Sequence, residues 1–167
     1  MRPADPARVI AAARGWLGTP YHDQASIKSV GCDCLGLVRG VWREVVGVEP
    51  LPVPPYSRDW GEIGHREVLA EAAAAIMLPA DPSRLEAGML LIFRMRRGAV
   101  GKHCGIVTER GTFIHGYERL GVIEEPLTEA WRRRIAFAFQ FPDIVGPTGD
   151  QGNGIPSDHA RSGPVRK

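Results

Sequence analysis

Apolar side chains recur at helical spacing in the first half of the chain and then switch to short β-prone runs. Over 7–17, Val9, Ile10, Ala13, Trp16 and Leu17 share one face, which predicts an amphipathic helix. Asp5-Pro6 supplies an N-cap and a proline at the first helical position, and Gly18-Thr19-Pro20 ends the run. Residues 21–33 show no period and read as a loop. From 34 to 46, Leu35, Val38, Val41, Trp42 and Val45 predict a second helix that stops near Gly47, with Asp33 at or just before its N-cap. Residues 48–64 carry Pro50, Pro52, Pro54 and Pro55 and predict an extended wrapping loop. An alanine-rich third helix is expected over 66–77. Five strands follow, over 89–93, 103–108, 112–115, 122–125 and 135–141, with a tight turn at Arg110-Gly111. Helices first and strands second predict an α+β fold, with N-terminal helices packed on an antiparallel sheet of about five strands.

The end of the chain breaks this pattern. Residues 146–167 hold five glycines and three prolines, with Ile155 and Val165 as the large aliphatic residues. Such a stretch cannot bury a core, so one domain over 1–145 and a tail over 146–167 are expected. The chain of 167 residues is long enough for one self-sufficient core. With 44% hydrophobic and 24% charged residues it is neither disordered throughout nor fibrous.

Charge narrows the partners. Lys and Arg number 21 against 19 Asp and Glu, a balance that argues against nucleic acid. The short basic runs, Arg94, Arg96 and Arg97 with Lys102, and Arg132, Arg133 and Arg134, read as solvated element ends. No run approaches the ~18 apolar residues of a membrane span, so no membrane insertion is expected. The start carries Pro3, Asp5 and Pro6 where a secretion signal needs an apolar stretch, which predicts synthesis and folding in the cytoplasm. Three cysteines, Cys32, Cys34 and Cys104, argue against a disulfide framework.

Candidate chemistry gathers at three of these residues. Cys34 enters a helix, where unpaired N–H groups and the positive end of the dipole favour thiolate. His103 and His115 flank the predicted turn, so a hairpin sets them on adjacent strands. A cysteine facing such a pair matches a nucleophile, a base and a group that orients the base. The same residues also read as a core cysteine and structural histidines, and both readings stand. Zinc on Cys32, Cys34, His103 and Cys104 is disfavoured, because neighbours in a strand point to opposite faces. No metal and no cofactor is assigned.

The motifs, in order, are Trp16-Leu17-Gly18-Thr19-Pro20-Tyr21, Asp33-Cys34-Leu35-Gly36-Leu37-Val38, Glu86-Ala87-Gly88-Met89-Leu90-Leu91, His103-Cys104-Gly105-Ile106-Val107 and Phe113-Ile114-His115-Gly116. Together they resemble the NlpC family of cell-wall cysteine peptidases. Similarity to its phage-tail and gene-transfer-agent branch continues over 131–142. The resemblance implies a papain-like fold and hydrolysis of a peptide bond in the peptidoglycan stem, between γ-D-glutamate and diaminopimelate. By the same resemblance Cys34 matches the nucleophile, His103 the general base and His115 the third polar residue. Tyr21 matches a tyrosine that lines the site and helps the oxyanion. Asp33 matches an acid that helps bind the amino end of the stem peptide. Tyr21 also reads as a packing aromatic and Asp33 as a helix cap.

The chain departs from the family at Leu35, where many members have serine, and at His22-Asp23-Gln24, where many have tryptophan and two glycines. The resemblance further implies tail-tip or baseplate proteins as partners, and a place in a virion or phage-like tail acting on the periplasmic wall. A non-catalytic tail-tip component with the same fold is the alternative. Cys32, Cys104, His22, His65 and His159 receive no role.

Overall fold

A computed structural model describes residues 1–57, 60–62 and 64–143. The chain opens with β1 (Arg2–Pro3), which pairs antiparallel with the last strand, β10 (Pro142–Asp143). Helix α1 (Pro6–Arg14) starts as its sequence predicts, with the Asp5 carboxylate accepting from the N–H of Ala7 at 2.9 Å. It ends earlier than residue 17. Trp16 and Leu17 continue it only through turn bonds to the carbonyls of Ala13 and Arg14. The segment read as a loop over 21–33 contains a small ribbon, β2 (Ser26–Ile27) on β3 (Gly31–Cys32). Tyr21 bridges to Cys32 in parallel beside it. Helix α2 (Cys34–Val45) buries Leu37, Val38, Val41, Trp42 and Val45. Helix α3 (Val68–Ile76) is shorter than its alanine-rich sequence suggests.

The expected α+β architecture is present, with six strands in the main antiparallel sheet where about five were predicted. The order is β4–β9–β5–β6–β7–β8, for β4 (Leu78–Ala80), β5 (Leu90–Phe93), β6 (His103–Val107), β7 (Thr112–Tyr117), β8 (Gly121–Pro126) and β9 (Ile135–Gln140). The added strand, β4, is three residues long and contains Pro79. It sits at the sheet edge, where a missing N–H is tolerated, and it has no alternating pattern to betray it. A one-turn helix, α4 (Glu129–Arg132), was also not foreseen.

Every side chain of β5 is buried, so the sheet has a core on each face. Leu90 and Ile92 join Val9, Leu37 and Val41 beneath α1 and α2. Leu91 and Phe93 point the other way, onto Phe113 and Trp131. The period of two along one strand builds both layers. The proline-rich segment leaves the end of α2 and runs without helix or strand over residues 48–57. It is tied back by the Trp42 indole N–H on the Val48 carbonyl at 3.2 Å and by Arg39 on Glu49 at 2.7 Å. The tail expected over 146–167 and the boundary at 145 lie outside the described residues.

Arg14 at the end of α1 donates to Glu124 on β8 at 3.0 and 3.1 Å and to Glu109 at 2.9 Å. The bonds from Arg14, followed by that from Thr112, hold the Glu124 carboxyl down to about 2 against an ordinary value of 4.5. Its stabilising contribution is therefore full above 4.5 and is lost as pH falls towards 2. Arg14→Met is expected to melt below wild type at neutral pH, with the gap closing through that window. A gap that persists at the acid end would assign the loss to packing of the Arg14 stem.

Candidate active site

The nucleophile candidate is placed by a tight entry from ribbon to helix. Asp33 is extended, at φ −97° and ψ −171°, and is the N-cap of α2. One carboxylate oxygen accepts from the Gly36 N–H at 2.7 Å. The other accepts from the Gln24 N–H at 2.8 Å and from the Tyr56 hydroxyl at 2.5 Å. Burial pushes the Asp33 carboxyl up, against the bond from Tyr56. Cys34 is the first residue of α2 and half-buried. Gly116 on β7 passes this helix end so closely that a Cβ there would lie 2.9 Å from the Asp33 carbonyl and 3.1 Å from the Cys34 nitrogen.

The Cys34 thiol is held well below the usual thiol range. The largest cause is a hydrogen bond from the Cys104 thiol, and the His103 ring adds to it. The positive end of α2 acts in the same direction. The Cys34 sulfur also lies 3.8 Å from the Lys102 carbonyl oxygen. Cys104, whose sequence position suggested no role, is pushed the opposite way, by its bond to Cys34 and by burial. Cys32 is buried and burial raises its thiol to about 12, so it stays protonated. Cys104→Ala is therefore expected to raise the Cys34 thiol pKa, read from alkylation rate against pH. An unchanged profile would mean that the helix end and His103 suffice.

The two histidines meet as the predicted hairpin requires. Ile106 faces Ile114 and Val107 faces Phe113, a register that sets Gly105 opposite His115 and makes His103 its diagonal neighbour. A Cβ on Gly105 would lie 2.8 Å from Phe113 and 3.1 Å from the His115 Cβ, so glycine leaves room for the ring. His103 Nε2 then stands 2.7 Å from His115 Nδ1. The Trp131 ring stacks on His103, with centroids 5.7 Å apart and planes at 30°. His115 is fully buried, and burial with the neighbouring His103 drives its pKa down to about 3, so it is neutral at physiological pH. With Nε2 of His103 engaged by His115, Nδ1 is the ring nitrogen that remains for the Cys34 thiol.

Tyr21 completes the front of the site. Its hydroxyl donates to Asp23 at 3.2 Å, and burial first, then the Cys34 charge, hold the phenol well above its usual pKa. It keeps its proton and remains a donor. Tyr21 and His103 line both halves of the cleft. One half, of about 290 Å3, includes Asp33, Cys34 and Tyr56; the other, of about 430 Å3, includes Met95, Tyr117 and Arg119. Four of the five residues singled out in the sequence, Tyr21, Asp33, Cys34 and His103, thus line one cleft, and His115 lies buried behind His103.

His22 stays in an exposed loop, its Nδ1 3.2 Å from the Asp23 carbonyl oxygen, and does not line this cleft. His159 lies outside the described residues. Besides Cys104, two contributors were missed by the sequence reading. Tyr56 comes from the proline-rich segment, and Glu125 on β8 places a carboxylate oxygen 2.7 Å from His115 Nε2. Strand alternation sets Glu125 on the His115 face of the sheet, but only the β7–β8 register brings them together. Among the described residues no group of three or more His, Cys, Asp and Glu side chains is gathered as a metal site.

Solved structures share this architecture. The chain is similar to an NlpC/P60 family protein from Bacillus cereus, with a TM-score of 0.59 and 21% identity over 84% of this chain and 41% of that one. It is similar to the NlpC/p60 domain of the peptidoglycan hydrolase SagA, with a TM-score of 0.59 and 24% identity over 82% of this chain and 99% of that domain. The peptidoglycan hydrolase RipB from Mycobacterium tuberculosis is matched with a TM-score of 0.53 and 19% identity, over 81% of this chain and 63% of that one. The chain thus spans less than half of the Bacillus protein and nearly all of the SagA domain. No curated protein sequence matches it. At these identities the likeness establishes the fold, and the NlpC/P60 family model matches residues 18–139, so the chain belongs to the NlpC/P60 family.

Proposed function

We propose that this protein is a cell-wall hydrolase that cleaves an amide bond of the peptidoglycan stem with Cys34 as nucleophile. The observation that carries the reading is the alignment of a depressed-pKa thiol at a helix N-terminus with His103, itself 2.7 Å from a neutral His115. Family membership and the peptidoglycan hydrolases among its structural neighbours support it.

The Cys34 thiolate attacks the carbonyl carbon, and the carbonyl electron pair moves to oxygen. The Cys34 N–H receives that charge, joined by the Tyr21 hydroxyl once its single proton turns from Asp23 to the oxyanion. As the tetrahedral species collapses, the C–N bond breaks and His103 Nδ1 gives its proton to the departing amine. A thioester remains. Water attacks it, His103 takes the water proton, and the carboxylate product leaves as the Cys34 sulfur is regenerated. The Asp33 carboxyl, to which the neutral Tyr56 hydroxyl donates, forms a polar wall of the cleft suited to the amino end of the stem peptide. The bond cleaved, on the resemblance, is that between γ-D-glutamate and diaminopimelate.

The place of action, again on the resemblance of 131–142 to phage-tail members, is the tip of a phage-like tail that carries the enzyme to the periplasmic wall. Mass spectrometry of diaminopimelate-type peptidoglycan after incubation with the protein tests the chemistry. New stem fragments ending in γ-D-glutamate are expected. Fragments ending elsewhere would reassign the bond, and absence of the protein from purified particles would overturn the delivery.

A further inference from the structure

We propose that Glu125 is a positioning residue of this site, which accepts the Nε2 proton of His115 and thereby selects the tautomer that leaves His103 able to act as a base. The inference rests on the reading of Cys34 and His103 as nucleophile and base.

Glu125, His115 and His103 form one chain of contacts in which each position of a proton fixes the next. Glu125 Oε1 lies 2.7 Å from His115 Nε2, and His115 Nδ1 lies 2.7 Å from His103 Nε2. A neutral imidazole carries one N–H, and a carboxylate only accepts. With Glu125 present, that N–H sits on Nε2 and points at the carboxylate. Nδ1 of His115 then holds a lone pair, and His103 must supply the proton of the 2.7 Å contact from its own Nε2. His103 Nδ1 is left as a lone pair towards Cys34, ready to take the thiol proton. The opposite tautomer reverses every step. A proton on His115 Nδ1 would need a lone pair on His103 Nε2, would place the His103 proton on Nδ1, and would leave nothing to accept from the thiol.

The surroundings favour a fixed arrangement. His115 is fully buried, and its ring packs on Phe113 at 4.3 Å and Trp131 at 5.3 Å between centroids. Glu125 is held on β8 by continuous pairing with β7, from Thr112 opposite Pro126 to Tyr117 opposite Gly121. The titratable groups near this chain of contacts include Cys34 and Asp33 at the helix end, Cys104 on β6, Tyr117 on β7, and Tyr21, Tyr56, Lys102 and Glu118 around the same cleft. Tyr117 lies 5.2 Å from His115 between ring centroids. Glu124, the adjacent acid, belongs to Arg14 and faces away. Charge follows the same route. Once His103 is an imidazolium, the Glu125 charge stabilises it through His115, and the thiolate with it.

The test reads Cys34 alkylation by iodoacetamide against pH, which requires no wall substrate. Glu125→Ala is expected to slow alkylation at mildly acid pH by about 10- to 100-fold, the range for losing a partner that orients a histidine. It should also move the pH at which the thiolate appears upward. Glu125→Gln, whose amide oxygen accepts the same proton, is expected to recover most of the rate. A folded Glu125→Ala protein with the wild-type profile would overturn the proposal, since a purely structural role alters melting without moving that pH. Ring-nitrogen NMR shifts of the wild-type protein give a second reading. His115 protonated on Nε2 supports the proposal, and protonation on Nδ1 overturns it whether or not the variants fold. Normal thiol activation with no release of stem fragments would instead count against the hydrolase reading alone.

Discussion

Cys34→Ala is expected to abolish release of stem fragments from peptidoglycan, a loss on the order of 10^5-fold or more. The size follows from the mechanism. Without the sulfur there is no acyl-enzyme, and the remaining donors can only polarise a carbonyl that water must attack unaided. The fold should survive. The Asp33 cap on Gly36 does not involve the sulfur, and Cys34 is only half-buried at the helix end. The melting temperature is therefore expected to stay near wild type, which separates lost chemistry from lost structure. A Cys34→Ala protein that releases the same fragments at the wild-type rate would end the nucleophile assignment.

The second large effect belongs to His103. His103→Ala removes the base and the proton donor in one change, and a loss on the order of 10^4-fold is expected. It should also raise the Cys34 thiol pKa, because the ring is one of the groups holding that thiol down. The sign can be followed through alkylation, in which the mutant reaches full reactivity only at higher pH. His115→Ala should cost less in rate, since His115 acts through His103. It should cost more in stability, because a fully buried ring among Phe113 and Trp131 is lost. Equal losses of rate, or a reversed order, would mean that the two roles are exchanged.

Most of the site was legible because its parts are local. A cysteine next to a capping aspartate at the start of an amphipathic stretch is a statement about one helix end. Two histidines twelve positions apart around a glycine turn are a statement about one hairpin. Tyr21 and Asp33 were reached through the resemblance, and the capping role of Asp33 through its position alone. Tyr56 was hidden by distance in the chain. It lies 23 residues from Asp33, in a proline-rich segment with no period to aim its side chains. Cys104 was hidden by alternation, which sends it away from His103. The end of α2 nevertheless lies where Cys34 meets both the Cys104 thiol and the His103 ring. Among the elements, β4 escaped because three residues containing a proline make no pattern, and the β2–β3 ribbon because each strand has two residues.

What this sequence determined by itself is therefore the set of local choices. They are which stretches coil, which extend, where α2 begins, and that a thiol stands at that beginning with two histidines on one hairpin. These follow from spacing, capping and turn chemistry, which act over a few residues. What only the tertiary structure decided is who meets whom across the sheet: Glu125 with His115, Cys104 with Cys34, Tyr56 with Asp33. Those contacts depend on strand register and on how α2 lies over β6. A register shift of one residue would turn the same side chains to the other face. The physics of register is global, set by burying both faces of β5 at once, and no short window of sequence contains it.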